Sequence, residues 1–191
     1  MVLHVYYDIL VLLWVVWGVY WLAAVLYERA TGKAKPTERR ARGFSLFLIL
    51  LLFVLSPIGS TPPLGLLFFQ PSATVKTLGL LVTASGVGLA IWARRYLGAN
   101  WSAIPSLKKE HTLTVTGPYS VVRHPIYTGI LMGQLGSALV LGTFASLLVL
   151  VISVVFVWIR IRQEEGLMLE QFGDEYKDYK KKAKTIIPWV L

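Results

Sequence analysis

Long apolar runs separated by short polar segments dominate the chain. The runs cover about residues 9–26, 44–58, 75–93 and 125–159. A helix needs about 20 apolar residues to cross the hydrocarbon core of a bilayer. The pattern therefore predicts an all-α integral membrane protein. The first run lacks a basic leader and a small-residue cleavage site, so it is interpreted as a retained span.

The fourth run is too long for one crossing. A single helix of about 35 residues would be about 52 Å long, against a hydrocarbon thickness of about 30 Å. Gly142 and Thr143 lie near its middle and favour a break. We expect a tight helical hairpin with arms Pro125–Leu141 and Phe144–Ile161. The total is then five transmembrane helices, of which the hairpin supplies the last two.

The remaining chain, from Arg160 to Leu191, is a polar tail. It carries apolar and aromatic residues at helical spacing with lysines on the other faces. This spacing predicts an amphipathic helix that lies on the membrane surface or over a site. The spaced residues are Met168, Phe172, Tyr176 and Tyr179.

Composition and charge support a membrane protein and set its orientation. Apolar residues make up 55% of the 191 residues, charged residues 15%, and the net charge is +9. All 19 Lys and Arg residues except Lys76 lie in 28–43, in 94–124 or from position 160 onward. Five spans place these segments together in the cytoplasm, with the N-terminus outside, whereas four spans would separate the tail. Retention against anionic lipids explains the basic segments, so no nucleic-acid partner is expected.

The residue counts and the lack of certain motifs exclude several kinds of site. The chain has no cysteine, which removes thiolate metal sites and cysteine nucleophiles. Its three histidines show no HExxH spacing, and no metal site is expected. No GxSxG or P-loop pattern occurs. Gly86-Val87-Gly88 lies inside an apolar span, not after a strand, so it is not a dinucleotide loop.

The segment Arg123–Gly129 has the composition of a helix start that binds anions. Pro125 suits the first helical position, which places His124 beside free backbone N–H groups. Tyr127 follows three residues later, roughly on the same face. The alternative is an ordinary interfacial helix start, in which Arg123, His124 and Tyr127 reach toward lipid headgroups.

A second polar group follows the apolar hairpin. Arg160 and Glu164 are four residues apart and are expected to pair on one helical face. They lie at the membrane boundary, where buried charges often serve a function, although a simple surface ion pair is the alternative. Glu164 and Glu165 point about 100° apart, so they are not expected to form a carboxylate dyad.

Four motifs occur in a characteristic order over residues 94–184. The chain resembles the isoprenylcysteine carboxyl methyltransferase family, a group that also includes phospholipid methyltransferases. The motifs are HTLTVTGPY at 111–119, RHPIYTG at 123–129, the Glu164-Glu165 pair and FGDEYKDY at 172–179.

The resemblance implies S-adenosylmethionine as methyl donor, bound without a Rossmann domain and released as S-adenosylhomocysteine. Arg160, Glu164 and His124 would form the catalytic set, with Arg160 binding the acceptor's carboxylate and Glu165 supporting the pocket. The chain would form one membrane domain, 1–191, with three spans in 1–93 and the catalytic core in 94–191. Cofactor-binding residues would be His111, Thr112, Leu113, Thr114, Tyr119, His124, Pro125, Ile126, Tyr127 and Glu164.

The expected reaction is methylation of a lipophilic or lipidated acceptor on the cytoplasmic side. The leading acceptor is the carboxylate of a prenylated cysteine, which is ionised at neutral pH and needs no general base. A phospholipid amine is the alternative and would need a base, His124 or Glu165. Two further alternatives are an NADPH-dependent enzyme similar to sterol reductases, which are much longer, and a membrane carrier or scaffold without activity.

Overall fold

The computed structural model describes residues 2–30, 65–98 and 113–187. Regular structure in these ranges is helical, and β pairing is limited to two isolated bridges. This confirms the all-α prediction for the described part of the chain, while the predicted span over 44–58 lies outside it. The helices are α1 (Val2–Ala30), α2 (Ala73–Leu97), a 3-10 helix (Gly117–Ser120), α3 (Pro125–Leu141) and α4 (Phe144–Lys182).

The helix lengths fit an integral membrane protein. By length and composition, the segments Val5–Ala24, Ala73–Leu97 and Phe144–Lys182 are long and apolar enough to cross a bilayer. Helix α3 is apolar but has only 17 residues. The apolar runs predicted at 9–26 and 75–93 correspond to α1 and α2.

Helices α2 and α3 pack through small residues. A Cβ atom added at Gly86 of α2 would lie 2.5 Å from the carbonyl oxygen of Gly129 on α3, and one at Gly79 would lie 2.7 Å from that of Gly136. The Thr83 hydroxyl also donates to the carbonyl of Gly133, at 3.2 Å. Small side chains permit this backbone approach in lipid, where packing replaces the hydrophobic effect. The α2–α3 pair thereby positions the start of α3.

Tryptophans of α1 cover one side of this pair. Trp17 and Trp21 stack with ring centroids 5.1 Å apart and pack on Val87 and Ala90 of α2. The Trp14 indole N–H donates to the Ser137 hydroxyl of α3 at 3.0 Å. These contacts fix the register of α1 against α3.

The connection between α3 and α4 has the predicted break. Helix α3 ends at Leu141, and Gly142 adopts a left-handed conformation with φ 63°, which favours glycine. Thr143 caps α4, its hydroxyl accepting a hydrogen bond from the Ser146 N–H at 3.2 Å. The Phe68 N–H donates to the Gly142 carbonyl at 2.7 Å, so the segment before α2 covers this connection.

Helix α4 extends beyond the end predicted at Ile161. It continues to Lys182, with non-helical dihedrals only at Gly173, where φ is 51°. No proline lies between Ile161 and Lys182, and most residues of this stretch are good helix formers, so the apolar and polar parts join. In the polar part, Tyr176 and Tyr179 are buried and pack with Met168, Phe172 and Leu113. The predicted amphipathic face is therefore a packing surface.

Candidate functional site

The carboxylate of Glu164 is the centre of a polar cluster between the start of α3 and the middle of α4. The Tyr127 phenol donates a hydrogen bond of 2.5 Å to its Oε1 atom. Arg160 Nη2 lies 3.4 Å from the same oxygen, so the pairing predicted within α4 is present. His124 Nδ1 lies 3.5 Å from Oε2. The side chain of Glu164 is 21% exposed, which leaves it accessible.

His124 lies between two carboxylates. Its ring stacks on Tyr127 with centroids 5.8 Å apart, and its Nε2 atom is 3.6 Å from Glu165 Oε1. That separation is too long for a hydrogen bond, and buried Nε2 has no such partner in the described part of the chain. Burial disfavours the imidazolium, but the carboxylates of Glu164 and Glu165 outweigh it and raise the pKa of His124 above 6.5.

Glu165 has a separate set of partners. Arg123 Nη2 lies 2.7 Å from its Oε1, and Lys180 Nζ lies 2.7 Å from its Oε2. Adjacent Glu164 and Glu165 therefore pair with different Arg and Lys residues, as their helical offset predicts, and both lie near His124. Two cations compensate the charge of Glu165, whereas Glu164 is the carboxylate beside Tyr127.

Arg123 also ties the segment after α4 to the start of α3. Its guanidinium donates to the Ala183 carbonyl at 2.5 Å and to the Thr185 hydroxyl at 2.9 Å. Val122 and Lys184 form a parallel bridge. This role of Arg123 and Thr185 was not predicted, because nothing local in the sequence marks a contact across about 60 residues.

Several residues expected at the cofactor are engaged in packing. Tyr119 is buried on the 3-10 helix, and its hydroxyl donates to the Ala93 carbonyl at 3.4 Å. Burial raises the pKa of Tyr119. The Tyr179 hydroxyl donates to the Tyr119 carbonyl at 2.6 Å, which joins the end of α4 to the same region. Leu113 packs against Tyr176 and Tyr179.

The structure separates the remaining predicted residues. The Ile126 side chain packs against the cluster of Trp17, Trp21, Val87 and Ala90, and Pro125 is fully buried at the first position of α3. Thr114 is half-buried, while His111 and Thr112 lie outside the described residues. Of the predicted site residues, four have side chains that lie together in one cluster: His124, Tyr127, Arg160 and Glu164.

The cluster suits ligands that carry charge. A carboxylate beside an aromatic ring attracts a cation, and the nearby Arg160 guanidinium attracts an anion. Among the described residues, no group of three or more His, Asp or Glu side chains is arranged to hold a metal ion. The site therefore offers opposite charges side by side at the polar end of apolar helices.

Comparison with known families and proteins finds similarity to methyltransferases. The family model described as phospholipid methyltransferase matches residues 74–175. A protein-S-isoprenylcysteine O-methyltransferase from Schizosaccharomyces pombe is 38% identical over 96 residues, covering 49% of this chain and 41% of that protein. The enzyme of the same name from Saccharomyces cerevisiae is 37% identical over 119 residues, covering 59% and 48%. The chain thus spans less than half the length of these relatives.

A solved structure shares the fold. The eukaryotic intramembrane Ras methyltransferase, an isoprenylcysteine carboxyl methyltransferase, superposes with a TM-score of 0.59 at 24% sequence identity. The match covers 78% of this chain and 53% of that one. The membrane fold expected from the motifs is confirmed at this level.

Proposed function

Because the chain belongs to the phospholipid methyltransferase family, we propose that it is an integral membrane methyltransferase that uses S-adenosylmethionine. The acceptor we favour is the carboxylate of a prenylated cysteine or a similar lipophilic acid, which becomes a methyl ester. The observation that carries this proposal is the Glu164 carboxylate, held by Tyr127 with Arg160 beside it. The names of the relatives support it, although the chain covers less than half of each.

The cluster fits the methyl donor chemically. S-adenosylmethionine carries a sulfonium, an amino acid and an adenosine. Glu164 and the Tyr127 ring suit a cationic group, and the start of α3 offers free backbone N–H groups for a carboxylate. The Nε2 atom of His124, buried without a hydrogen-bond partner in the described part, supplies a further polar contact.

The proposed donor-binding set keeps all ten residues expected from the motifs. His124, Tyr127 and Glu164 contribute side chains. Because Leu113, Tyr119 and Ile126 use their side chains in packing, their contribution is through backbone groups. The set is completed by His111, Thr112, Thr114 and Pro125.

The proposed mechanism asks the protein mainly to align two reactants. The bound donor supplies an electrophilic methyl group. Arg160 holds the acceptor's carboxylate through charge-assisted hydrogen bonds, and Glu164 orients the Arg160 guanidinium from 3.4 Å. The apolar helices around the cluster exclude water, which leaves the carboxylate less shielded. The carboxylate is ionised at neutral pH, so no general base is required.

A phospholipid amine is the second candidate acceptor, and the description of the matching family favours it. An amine is protonated at neutral pH and needs a base. Glu165 suits that task poorly because Arg123 and Lys180 neutralise it. His124 carries a raised pKa between two carboxylates, which favours its protonated form. The site therefore supports an acceptor that is already an anion.

The proposed topology has five spans, with the N-terminus outside and the site in the cytoplasm. The two-residue connection between α3 and α4, together with the contact of Tyr127 with Glu164, supports a helical hairpin. The concentration of Lys and Arg in three segments supports the orientation. In this arrangement residues 1–191 form one membrane domain, and 94–191 form the catalytic core.

Transfer of a labelled methyl group tests the proposed reaction. The purified protein is given methyl-labelled S-adenosylmethionine with N-acetyl-S-farnesylcysteine, with its carboxamide or with phosphatidylethanolamine. We expect label on the acid alone, in an ester that releases methanol in alkali. The carboxamide is the matched control because it lacks only the acidic group. Label on the phospholipid, or on no acceptor, would contradict the proposal.

A further inference from the structure

Two buried polar atoms in the apolar part of the protein have no hydrogen-bond partner. The side chain of Trp17 on α1 is 6% exposed and that of Gln134 on α3 is 5% exposed. The Trp17 Nε1–H and the Gln134 Oε1 atom lack partners in the described part of the chain. Both residues lie in apolar helices. An unsatisfied donor or acceptor is costly in hydrocarbon, and buried intramembrane polar groups often mark ligand paths.

The two residues lie at the same depth. The Trp14 indole donates to the Ser137 hydroxyl at 3.0 Å, and Ile130 packs against the cluster that Trp17 forms with Trp21, Val87 and Ala90. Trp17 is therefore level with the turn of α3 between Ile130 and Ser137, and this turn contains Gln134. An unpartnered donor on α1 and an unpartnered acceptor on α3 therefore lie at the same depth along the helices.

We propose that Trp17 and Gln134 form an intramembrane site for the hydroxyl group of a lipophilic alcohol. An indole N–H only donates, and an amide oxygen only accepts. A hydroxyl group does both, so a single one satisfies both atoms: its oxygen accepts from Trp17 and its hydrogen is donated to Gln134. A hydrocarbon chain satisfies neither atom, and a ketone or ether satisfies only Trp17.

The site lies two turns along α3 from Tyr127, a member of the Glu164 cluster. Gln134 follows Tyr127 by seven residues, which is two helical turns on nearly the same face of α3 and about 10 Å along its axis. A ligand that binds at Gln134 through its hydroxyl and extends along α3 toward its start would reach the hydroxyl of Tyr127. Whether such a ligand is also the methyl acceptor rests on the proposed function, whereas the binding site itself does not.

Thermal unfolding of the full chain in lipid nanodiscs tests the proposal without methyl transfer. The probes are 1-dodecanol and dodecane at equal content, which share their chain length and differ in the hydroxyl group. For the wild type we expect the alcohol to raise Tm by about 3 °C more than the alkane. In Trp17→Phe and in Gln134→Leu this difference is expected to disappear.

Matched exposed residues give the controls. Trp92→Phe and Gln70→Leu make the same changes at exposed positions and are expected to keep the difference. Equal Tm values of the wild type with 1-dodecanol and with dodecane would overturn the proposal. Equal values are expected if water alone bonds to the two atoms. A response to the alcohol that survives in both Trp17→Phe and Gln134→Leu would also overturn it.

Direct bonding between Trp17 and Gln134 is the remaining alternative. In that case Trp17→Phe and Gln134→Leu lower Tm without any probe, and the double variant loses no more than either single one. This result would overturn the proposal. If Gln134→Leu does not fold, Gln134→Met replaces it, because methionine keeps the side-chain length and lacks the amide. The difference in Tm between 1-dodecanol and dodecane on the wild type tests the proposal in either case.

Discussion

The Tyr127 hydroxyl donates a hydrogen bond of 2.5 Å to the Glu164 carboxylate across 37 positions of the chain. This contact joins the first turn of α3 to α4 just beyond the apolar part of that helix. It fixes one carboxylate oxygen while the other lies 3.5 Å from His124 Nδ1. The orientation of Glu164 therefore depends on the packing of both helices.

Removing the Tyr127 hydroxyl tests this orientation. A hydrogen bond to a charged group contributes about 1.5–3 kcal/mol. We expect Tyr127→Phe to weaken binding of S-adenosylmethionine by about 10-fold or more in calorimetry. Tyr96→Phe removes an exposed hydroxyl that bonds Thr116 and is the control. Equal affinities of Tyr127→Phe and the wild type would show that this bond does not orient the binding group.

Arg160 is expected to act on the acceptor more than on the donor. For Arg160→Ala we expect kcat/KM for a carboxylate acceptor to fall by about 100-fold, since a charge-assisted hydrogen-bonded pair is lost. The affinity for S-adenosylmethionine is expected to change much less. Arg162→Ala removes a guanidinium that stacks on Trp158 and serves as control. Full turnover by Arg160→Ala would remove the proposed carboxylate contact.

Arg123 is expected to matter for stability. Its side chain is 7% exposed and that of Glu165 is 13% exposed. Removing one partner of a buried pair costs about 3–5 kcal/mol, so Arg123→Ala is expected to lower Tm markedly and to release the segment at 183–186. Lys181→Ala, which breaks an exposed pair with Asp178, is expected to leave Tm nearly unchanged. Similar Tm values for the two variants would contradict this role.

The raised pKa of His124 predicts a pH dependence of stability. Because the folded-state pKa exceeds the ordinary value of 6.5, the stabilisation is complete below about pH 6.5 and is lost as pH rises through the folded-state value. We expect the Tm difference between wild type and His124→Asn to be larger at pH 6 than at pH 9. A difference that grows with pH would show that His124 is neutral in the folded protein.

Close packing of α2 on α3 gives a paired test. A Cβ atom at Gly86 would lie 2.5 Å from the Gly129 carbonyl oxygen, whereas one at Gly88 meets nothing within 4 Å. We therefore expect Gly86→Ala to lower Tm by several degrees. Gly88→Ala is expected to leave Tm unchanged or slightly raised, since alanine favours helix. Thermal unfolding of both variants checks this, and equal Tm values would contradict the packing.

Local signals predicted the elements that depend on local chemistry. Helix α3 runs from Pro125 to Leu141 as expected, because proline begins a helix and Gly142 ends it. Helix α4 was predicted to end at Ile161, but it ends at Lys182. The change from apolar to polar residues at Ile161 alters what surrounds the helix, whereas the helix propensity of the residues stays high.

The candidate site was predictable in part. The motif order singled out Tyr127 and Glu164, and helical spacing indicated the Arg160–Glu164 pair. The side chain of Ile126 packs against the cluster between α1 and α2, and not beside Glu164, because neighbouring residues on a helix point about 100° apart. The bond between Arg123 and Thr185 is set by the tertiary fold, and spacing along the chain does not reveal it.

Calorimetric binding of S-adenosylmethionine to the detergent-purified protein tests the proposed methyl-donor site. Glu164→Gln removes the central charge, and Glu170→Gln makes the same change at an exposed position of α4. We expect micromolar binding by the wild type and Glu170→Gln, and a loss of about 10-fold or more in Glu164→Gln. No binding by folded wild-type protein, or binding of NADPH instead, would contradict the account.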